Sequence, residues 1–192
     1  MHLTERNNHA ARLIMANRYR ESYDELRLGL HEEATRLRSS ERSVPEIPAS
    51  TNRLIVRAIG NINSDADDLL FPSPLLVVSS SIQNDNDIDY VRCCCATVIF
   101  NMGLTCHLFA HRNPLPSQAR EQIFRQAQVL HQQAREMGQH LAMPVLHLAL
   151  LCNLLELSFE QVDIEMASIW NALFTQWMCV SQVGHVQDSI SI

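Results

Sequence analysis

Helical periodicity is the feature of this sequence that most constrains its fold. Apolar residues recur at spacings of three and four over residues 3–38 and again from residue 91 onward, which is the pattern of amphipathic helices. Only five of the 192 residues are glycine and 46% are apolar, a composition typical of packed helices rather than of a turn-rich β protein. The sequence therefore predicts a single, mostly α-helical domain over residues 1–192.

The helical segments fall into pairs, so we expect antiparallel helix hairpins. The first hairpin is predicted at residues 3–38, the second at 91–140 and the third at 143–183, with a loose tail at 184–192. Prolines on both sides of Leu115 and a glycine at position 138 mark breaks in the second hairpin and at its end. Within the last two hairpins, the predicted helices span residues 93–111, 117–138, 143–159 and 160–183.

The segment between residues 39 and 90 interrupts the helical pattern. Its four prolines, at positions 45, 48, 72 and 74, exclude a continuous helix. Residues 53–59 and 74–78 are rich in β-branched side chains and read as short strands, separated by a polar, acidic loop. We expect a strand-like insertion packed on the helices, as either a small hairpin or a pair of extended segments.

The charge pattern limits the possible partners. The net charge is −6, and all fifteen basic residues are arginine. Broad binding to nucleic acid or to an anionic membrane needs clustered positive charge, so neither is expected. No segment approaches the roughly 20 uninterrupted apolar residues of a membrane span, and residues 1–8 lack the apolar region of a secretory signal.

The cysteines indicate a reducing compartment. Three of the six are contiguous, and their spacing forms no disulfide framework. We therefore expect reduced, mostly buried thiols in an intracellular protein, with the cytoplasm favoured and the nucleus left open. The six positions are Cys93, Cys94, Cys95, Cys106, Cys152 and Cys179.

Neither a catalytic nor a metal-binding constellation stands out in the sequence. The absence of lysine excludes a Schiff base, and no nucleophile has a base at a recognisable spacing, so no catalytic residue and no cofactor are assigned. His107 and His111 have the four-residue spacing of a two-histidine metal face. Cys106 and His147 can approach them in space, but no third ligand is evident nearby. We interpret the pair as solvent-facing histidines near a helix end and predict no metal site.

A short motif recurs in the first helix of each hairpin. An asparagine, followed in two of three copies by a small residue two positions later, is combined with small residues in the second helix. The pattern resembles the tetratricopeptide repeat, in which small residues let the two helices of a hairpin cross closely. The resemblance covers residues 3–36, 96–138 and 147–180. The matching small positions are Ala10, Ser22 and Gly29, then Gly103, Ala127 and Ala134, then Ala167; Leu155 and Phe174 depart from the pattern.

The resemblance implies a short superhelix whose inner face is a peptide-binding groove. It places Asn8, Asn101 and Asn153 in that groove, where a side-chain amide can both donate to and accept from a peptide backbone. The alternative is that these asparagines satisfy neighbouring helix or loop backbone. Asn7, Phe100 and Cys152 stand where the family's carboxylate clamp needs basic residues, so chaperone tails are not expected. The remaining predicted lining residues are Met15, Phe100, Leu104, His107, Cys152 and Glu156.

A scaffold or adaptor that binds a protein or peptide segment is therefore the expected function. Two other classes stay open: a small-molecule-binding or enzymatic helical domain, and a structural subunit of a larger assembly. The insertion can also fold back into the groove and block it. The last helix is rich in large apolar residues, so its outer side is a candidate partner or homodimer surface, unless the helix folds onto the preceding pair. The residues proposed for that interface are Trp170, Phe174 and Trp177.

Overall fold

The computed structural model describes residues 2–40, 54–59, 71–79 and 88–188, which form six helices and one two-stranded antiparallel sheet. The predicted mostly α-helical class with a small strand-like insertion is confirmed at this level. The elements are α1 (Leu3–Met15), α2 (Tyr19–Ser40), β1 (Leu54–Ala58), β2 (Leu75–Ser79), α3 (Ile88–Arg112), α4 (Ser117–Gly138), α5 (Pro144–Glu160) and α6 (Ile164–Asp188).

The helices pack as three consecutive hairpins. Contacts join α1 to α2, α3 to α4 and α5 to α6, and α2 to α3 and α4 to α5 link one hairpin to the next. In addition, α1 contacts α3 and α3 contacts α5, so the odd-numbered helices form one layer. This layer carries the sheet: β2 lies against α1 and α3, and β1 lies against α3 and α5.

The first and third hairpins use the same three-residue turn. Residues 16–18 join α1 to α2, and residues 161–163 join α5 to α6. The middle residue of each turn is left-handed, with φ of 59° at Asn17 and 56° at Val162. The residue after it donates its backbone N–H to a carbonyl five residues back, at 2.9 Å in one turn and 2.8 Å in the other. Each of these carbonyls lies in the helix that precedes the turn. In the third hairpin, this bond and the left-handed Val162 therefore end α5 at Glu160.

Most predicted helix bounds agree with the structure to within two residues, and three differ. The helix predicted to begin at residue 93 begins at Ile88. The helix predicted at 117–138 is observed as Ser117–Gly138. The expectation that the last helix begins at residue 160 is wrong, because the turn with a left-handed Val162 comes first. The predicted tail is also too long, since α6 continues to Asp188. Residues 189–192 lie outside the described part of the chain.

The insertion forms a hairpin rather than two unpaired segments. β1 and β2 are antiparallel, with Val56 opposite Val77 and Ala58 opposite Leu75, and the Ile59 N–H extends the ladder to the Pro74 carbonyl at 3.0 Å. Side chains alternate between the two faces of a strand. Leu75 and Val77 are accordingly buried against the helices, whereas Val78 is exposed. The predicted acidic loop between the strands lies outside the described residues.

Helix α3 is the centre of the core. Among the described residues it is the helix long and apolar enough to cross a membrane, and 83% of its apolar window is buried inside this fold. It contacts α2, α4 and α5 as well as α1 and both strands. Its hydropathy is therefore that of a central core helix surrounded by the other elements.

The cysteines are unpaired, as expected. Cys93, Cys94 and Cys106 are buried, Cys95 and Cys152 are half-buried, and only Cys179 is exposed. Burial raises the pKa of the Cys95 and Cys152 thiols to about 11, and it raises the pKa of Cys93 and Cys106 to about 12. Burial also raises the pKa of Cys94. All five thiols are therefore protonated at neutral pH and behave as small apolar side chains.

Candidate functional site: an asparagine row on the inner helix layer

A row of asparagines crosses the layer of odd-numbered helices. Asn7 and Asn8 come from α1, Asn101 from the middle of α3 and Asn153 from the middle of α5. Asn7, Asn101 and Asn153 are fully buried, and Asn8 is half-buried. A buried amide without hydrogen-bond partners is costly, so the partners of these side chains decide what the row does.

Asn101 is bonded on both sides of its amide to a single strand residue. Its Oδ1 accepts from the Leu75 backbone N–H at 2.9 Å, and its Nδ2 donates to the Leu75 carbonyl at 2.8 Å. Nδ2 also donates to Oδ1 of Asn7 at 2.8 Å. On β2, this amide therefore binds backbone groups and no side chain. Its bond to Asn7 links the α3 part of the row to the α1 part.

The two asparagines of α1 continue the same pattern along β2. Asn7 Nδ2 donates to the Leu75 carbonyl at 2.9 Å. Asn8 Nδ2 donates to the Val77 carbonyl at 3.0 Å, and its Oδ1 accepts from the Val77 N–H at 3.1 Å. Asn8 and Asn101 thus make equivalent two-bond contacts to residues two apart on one strand.

The row occupies the place of a third strand. The bond between Ile59 and Pro74 marks a hydrogen-bonded pair, and such pairs alternate with non-bonded pairs along an antiparallel ladder. The N–H and C=O groups of Leu75 and Val77 therefore point away from β1. Those are the groups that Asn8 and Asn101 bind, so side-chain amides satisfy the outer edge of β2.

Asn153 holds the residues just before β2. Its Oδ1 accepts from the Phe71 backbone N–H at 2.7 Å. Its Nδ2 is buried and makes no hydrogen bond within the described part of the chain. All three helices of the layer therefore contribute to one clamp, which binds backbone between Phe71 and Val77.

The sequence located most of this clamp. The predicted Asn8, Asn101 and Asn153 all bind the insertion, and the interpretation that they satisfy loop backbone describes their present partners. Asn7 was not among the predicted lining residues, although the resemblance had already placed it at a position of the family's carboxylate clamp. Of the other predicted lining residues, Cys152 and Glu156 are half-buried, Met15 is exposed at the end of α1, and Leu104 is buried in the core.

Phe100 and His107 were predicted to line the groove, but their ring contacts are with the second layer of helices. Both are fully buried, and both contact α4 of the second layer: the Phe100 ring lies 5.3 Å from the ring of His131, and the His107 ring lies 5.6 Å from that of Phe124. The side of α3 that faces α4 could not be separated from the side that faces the sheet by periodicity, because α3 is apolar nearly all round.

The expectation of solvent-facing histidines holds for His111 and fails for His107. His107 is fully buried, as is His131 on α4, and neither imidazole has a hydrogen-bond partner in the described part of the chain. Burial lowers the pKa of His107 well below its usual range and lowers that of His131 to about 3. Both rings are therefore neutral at pH 7. From the sequence, His147 was considered able to approach His107 and His111. Its Nε2 instead lies 2.9 Å from the Gly138 carbonyl oxygen.

The proposed outer interface on α6 needs correction. Trp170 is only 5% exposed, since it packs with Leu151, Leu155 and Ala167, and Arg135 lies over its ring at 5.3 Å. Phe174 and Trp177 are half-buried against the same cluster. The alternative that α6 folds onto the preceding helices therefore describes these three residues.

The asparagine row can bind an extended chain through its backbone without using any charge. No family model, no curated protein and no solved structure matches this sequence. The functional argument therefore rests on the geometry of the row and of the strand that it holds.

Proposed function

We propose that this protein is a tetratricopeptide-like scaffold that holds an extended peptide segment on its layer of odd-numbered helices. The observation that carries the proposal is the double hydrogen bond of Asn101 to the backbone of Leu75, repeated by Asn8 on Val77. Backbone recognition of this kind does not depend on the sequence of the bound strand. In the folded chain, the groove is filled by the protein's own β2.

The close helix crossings support the tetratricopeptide-like arrangement. Ser22 on α2 donates its hydroxyl to the Ala10 carbonyl on α1 at 3.1 Å, so these two helices approach closely where the resemblance places small residues. At the corresponding place in the second hairpin, Gly103 on α3 lies against the His131 ring on α4. Ala127 and Ala134 of α4 are fully buried.

The strand in the groove defines the chemistry of the ligand. Leu75 and Val77 insert their side chains between the helices, and Val78 on the opposite face of the strand is exposed. A ligand of the same kind is an extended segment with apolar residues at alternate positions. Because the clamp is made of neutral amides, its affinity is expected to change little with ionic strength.

Binding of an external segment requires that β2 leaves the groove. β2 and the external peptide compete for the same side-chain amides. The protein's own hairpin therefore acts as an intramolecular inhibitor, and the external peptide must overcome its effective concentration. We infer that the protein binds its partner when the insertion is displaced, and that the folded chain alone is the closed state.

A displaced-strand experiment tests this proposal. Leu75→Asp places a charge at a fully buried position and is expected to expel β2, whereas Val78→Asp changes the exposed face of the same strand and serves as the matched control. A fluorescently labelled peptide with the sequence of residues 71–79 is titrated into each protein and followed by anisotropy. We expect at least tenfold tighter binding to the Leu75→Asp protein than to the wild type or the control.

A second variant links any binding to the clamp. In the Leu75→Asp background, Asn101→Asp removes the amide donors and should abolish the gain in peptide affinity. Circular dichroism and a cooperative thermal transition establish that the helices remain folded. A folded Leu75→Asp protein that binds the peptide no better than Val78→Asp would rule out the proposed groove function.

A further inference from the structure

Two pairs of potential metal ligands face each other across α3 and α5. His107 and His111 are four residues apart on α3, and Glu156 and Glu160 are four apart on α5, so each pair lies on one face of its helix. His111 Nε2 lies 2.9 Å from Glu160 Oε1. The ligand atoms of His111, Glu156 and Glu160 all lie within 4.8 Å of one another.

These separations suit a small cation after minor side-chain movement. Bonds of about 2.0–2.2 Å from zinc to nitrogen and oxygen place tetrahedral ligand atoms roughly 3.4 Å apart. Glutamate side chains can close the remaining distance by rotation, while the helices fix where the side chains start. Two carboxylates also offset the double charge of the ion.

His107 provides a second, independent observation. Its imidazole is fully buried, and neither ring nitrogen has a hydrogen-bond partner in the described part of the chain. Its ring stacks on that of His111, with the centroids 5.3 Å apart. Imidazoles that share one tetrahedral zinc have centroids roughly 5 Å apart, as follows from the Zn–N bond length. His107 does not belong to the group of ligand atoms within 4.8 Å of one another, so its ring must rotate to bring a nitrogen to the ion.

We propose that α3 and α5 bind a divalent transition-metal ion of the Zn²⁺ type through His111, Glu156 and Glu160, with His107 as the fourth ligand. Imidazole ligands favour zinc and its neighbours over Mg²⁺ and Ca²⁺, which prefer oxygen ligands alone. His111 is ten residues beyond Asn101 along α3, and Glu156 is three residues beyond Asn153 along α5. The metal site therefore adjoins the asparagine clamp but shares no residue with it. The ion would join the second and third hairpins.

Calorimetric titration of the full chain with Zn²⁺, together with thermal unfolding, tests the site. We expect one ion per chain and a rise in melting temperature at saturating zinc, because an ion that binds only the folded state stabilises it. His111→Ala and Glu160→Gln should each weaken binding at least a hundredfold, and His107→Leu at least tenfold. The matched controls His140→Ala and Glu121→Gln change exposed residues outside the cluster and should bind zinc like the wild type.

Cobalt substitution distinguishes this site from the cysteines. Four-coordinate Co²⁺ bound by nitrogen and oxygen shows d–d bands in the visible, whereas thiolate ligands add an intense near-ultraviolet charge-transfer band. We expect no charge-transfer band. Any of three results would overturn the proposal: a charge-transfer band, zinc binding that survives in His111→Ala, or no zinc binding by the wild-type chain.

Discussion

The side-chain amide of Asn101 accepts from the backbone N–H of Leu75 at 2.9 Å and donates to the carbonyl of the same residue at 2.8 Å. One buried side chain of the central helix thus replaces the backbone of a neighbouring strand. Because both groups of Leu75 point away from β1, their desolvation would otherwise be uncompensated. The relationship makes the insertion part of the helical core rather than an appendage to it.

Asn101→Asp should destabilise the fold strongly. The carboxylate loses both donated hydrogen bonds and places a negative charge beside the Leu75 carbonyl and the Asn7 Oδ1. We expect the free energy of unfolding to fall by about 3 kcal/mol, measured by urea denaturation at pH 7. The exposed Asn171→Asp is the control and should change stability by less than about 0.5 kcal/mol. Equal effects would mean that the amide contributes nothing specific.

Gly103→Ala should destabilise the protein because α3 and α4 leave no room for a methyl group. A Cβ at this position would lie 2.8 Å from Cε1 and Nδ1 of His131, whose ring is itself fully buried. We expect a loss of about 2 kcal/mol in chemical denaturation. At Gly138 the nearest atom would be 3.4 Å away, so Gly138→Ala should be neutral or stabilising by up to about 1 kcal/mol. A tolerated Gly103→Ala would contradict the close crossing.

Val162→Gly should stabilise the protein, although it removes a side chain. Val162 has φ of 56° and is largely exposed, so its branched side chain contributes strain and little packing. Relief of the left-handed conformation is expected to raise the free energy of unfolding by about 1 kcal/mol. Val129→Gly, at an exposed position inside α4, should instead lower it by about 1 kcal/mol. The opposite signs separate turn strain from a general effect of glycine.

His131 should make the fold sensitive to mild acid. Its pKa is about 3 in the folded chain and 6.5 without burial, so between these values the unfolded state binds a proton that the native state excludes. The contribution of neutral His131 to stability is therefore full above pH 6.5. It falls by about 1.4 kcal/mol for each pH unit below that value, which amounts to about 2 kcal/mol at pH 5. The loss in free energy of unfolding between pH 7 and pH 5, measured by chemical denaturation, should be about 2 kcal/mol smaller in His131→Leu than in the wild type. The exposed His140→Ala should retain the wild-type pH dependence.

Local patterns in the sequence were sufficient for the helical class and for most helix ends. The start of α4 follows from Pro116, because proline restricts the backbone wherever it occurs. The end of α4 at Gly138 agrees with the prediction, although this glycine does not adopt the left-handed conformation of a glycine cap. Prolines and β-branched residues likewise identified two strands between residues 39 and 90. The asparagines were located because they recur at the same place in the first helix of each predicted hairpin.

The tertiary structure alone decided what those residues contact. That Asn101 binds the backbone of Leu75 depends on how a hairpin 26 residues away packs on three helices, and periodicity carries no information about it. The burial of His107 was missed for the same reason, and the sequence left open whether Trp170 is buried or part of an interface. Neither α3 nor α6 has one distinctly apolar face that would indicate which side meets a neighbour. The approach of Glu160 to His111 joins residues of separate hairpins. The sequence determined which helices form and which residues they carry, whereas packing between helices determined which residues meet. The reason is that contacts between distant segments depend on shape and burial rather than on spacing along the chain.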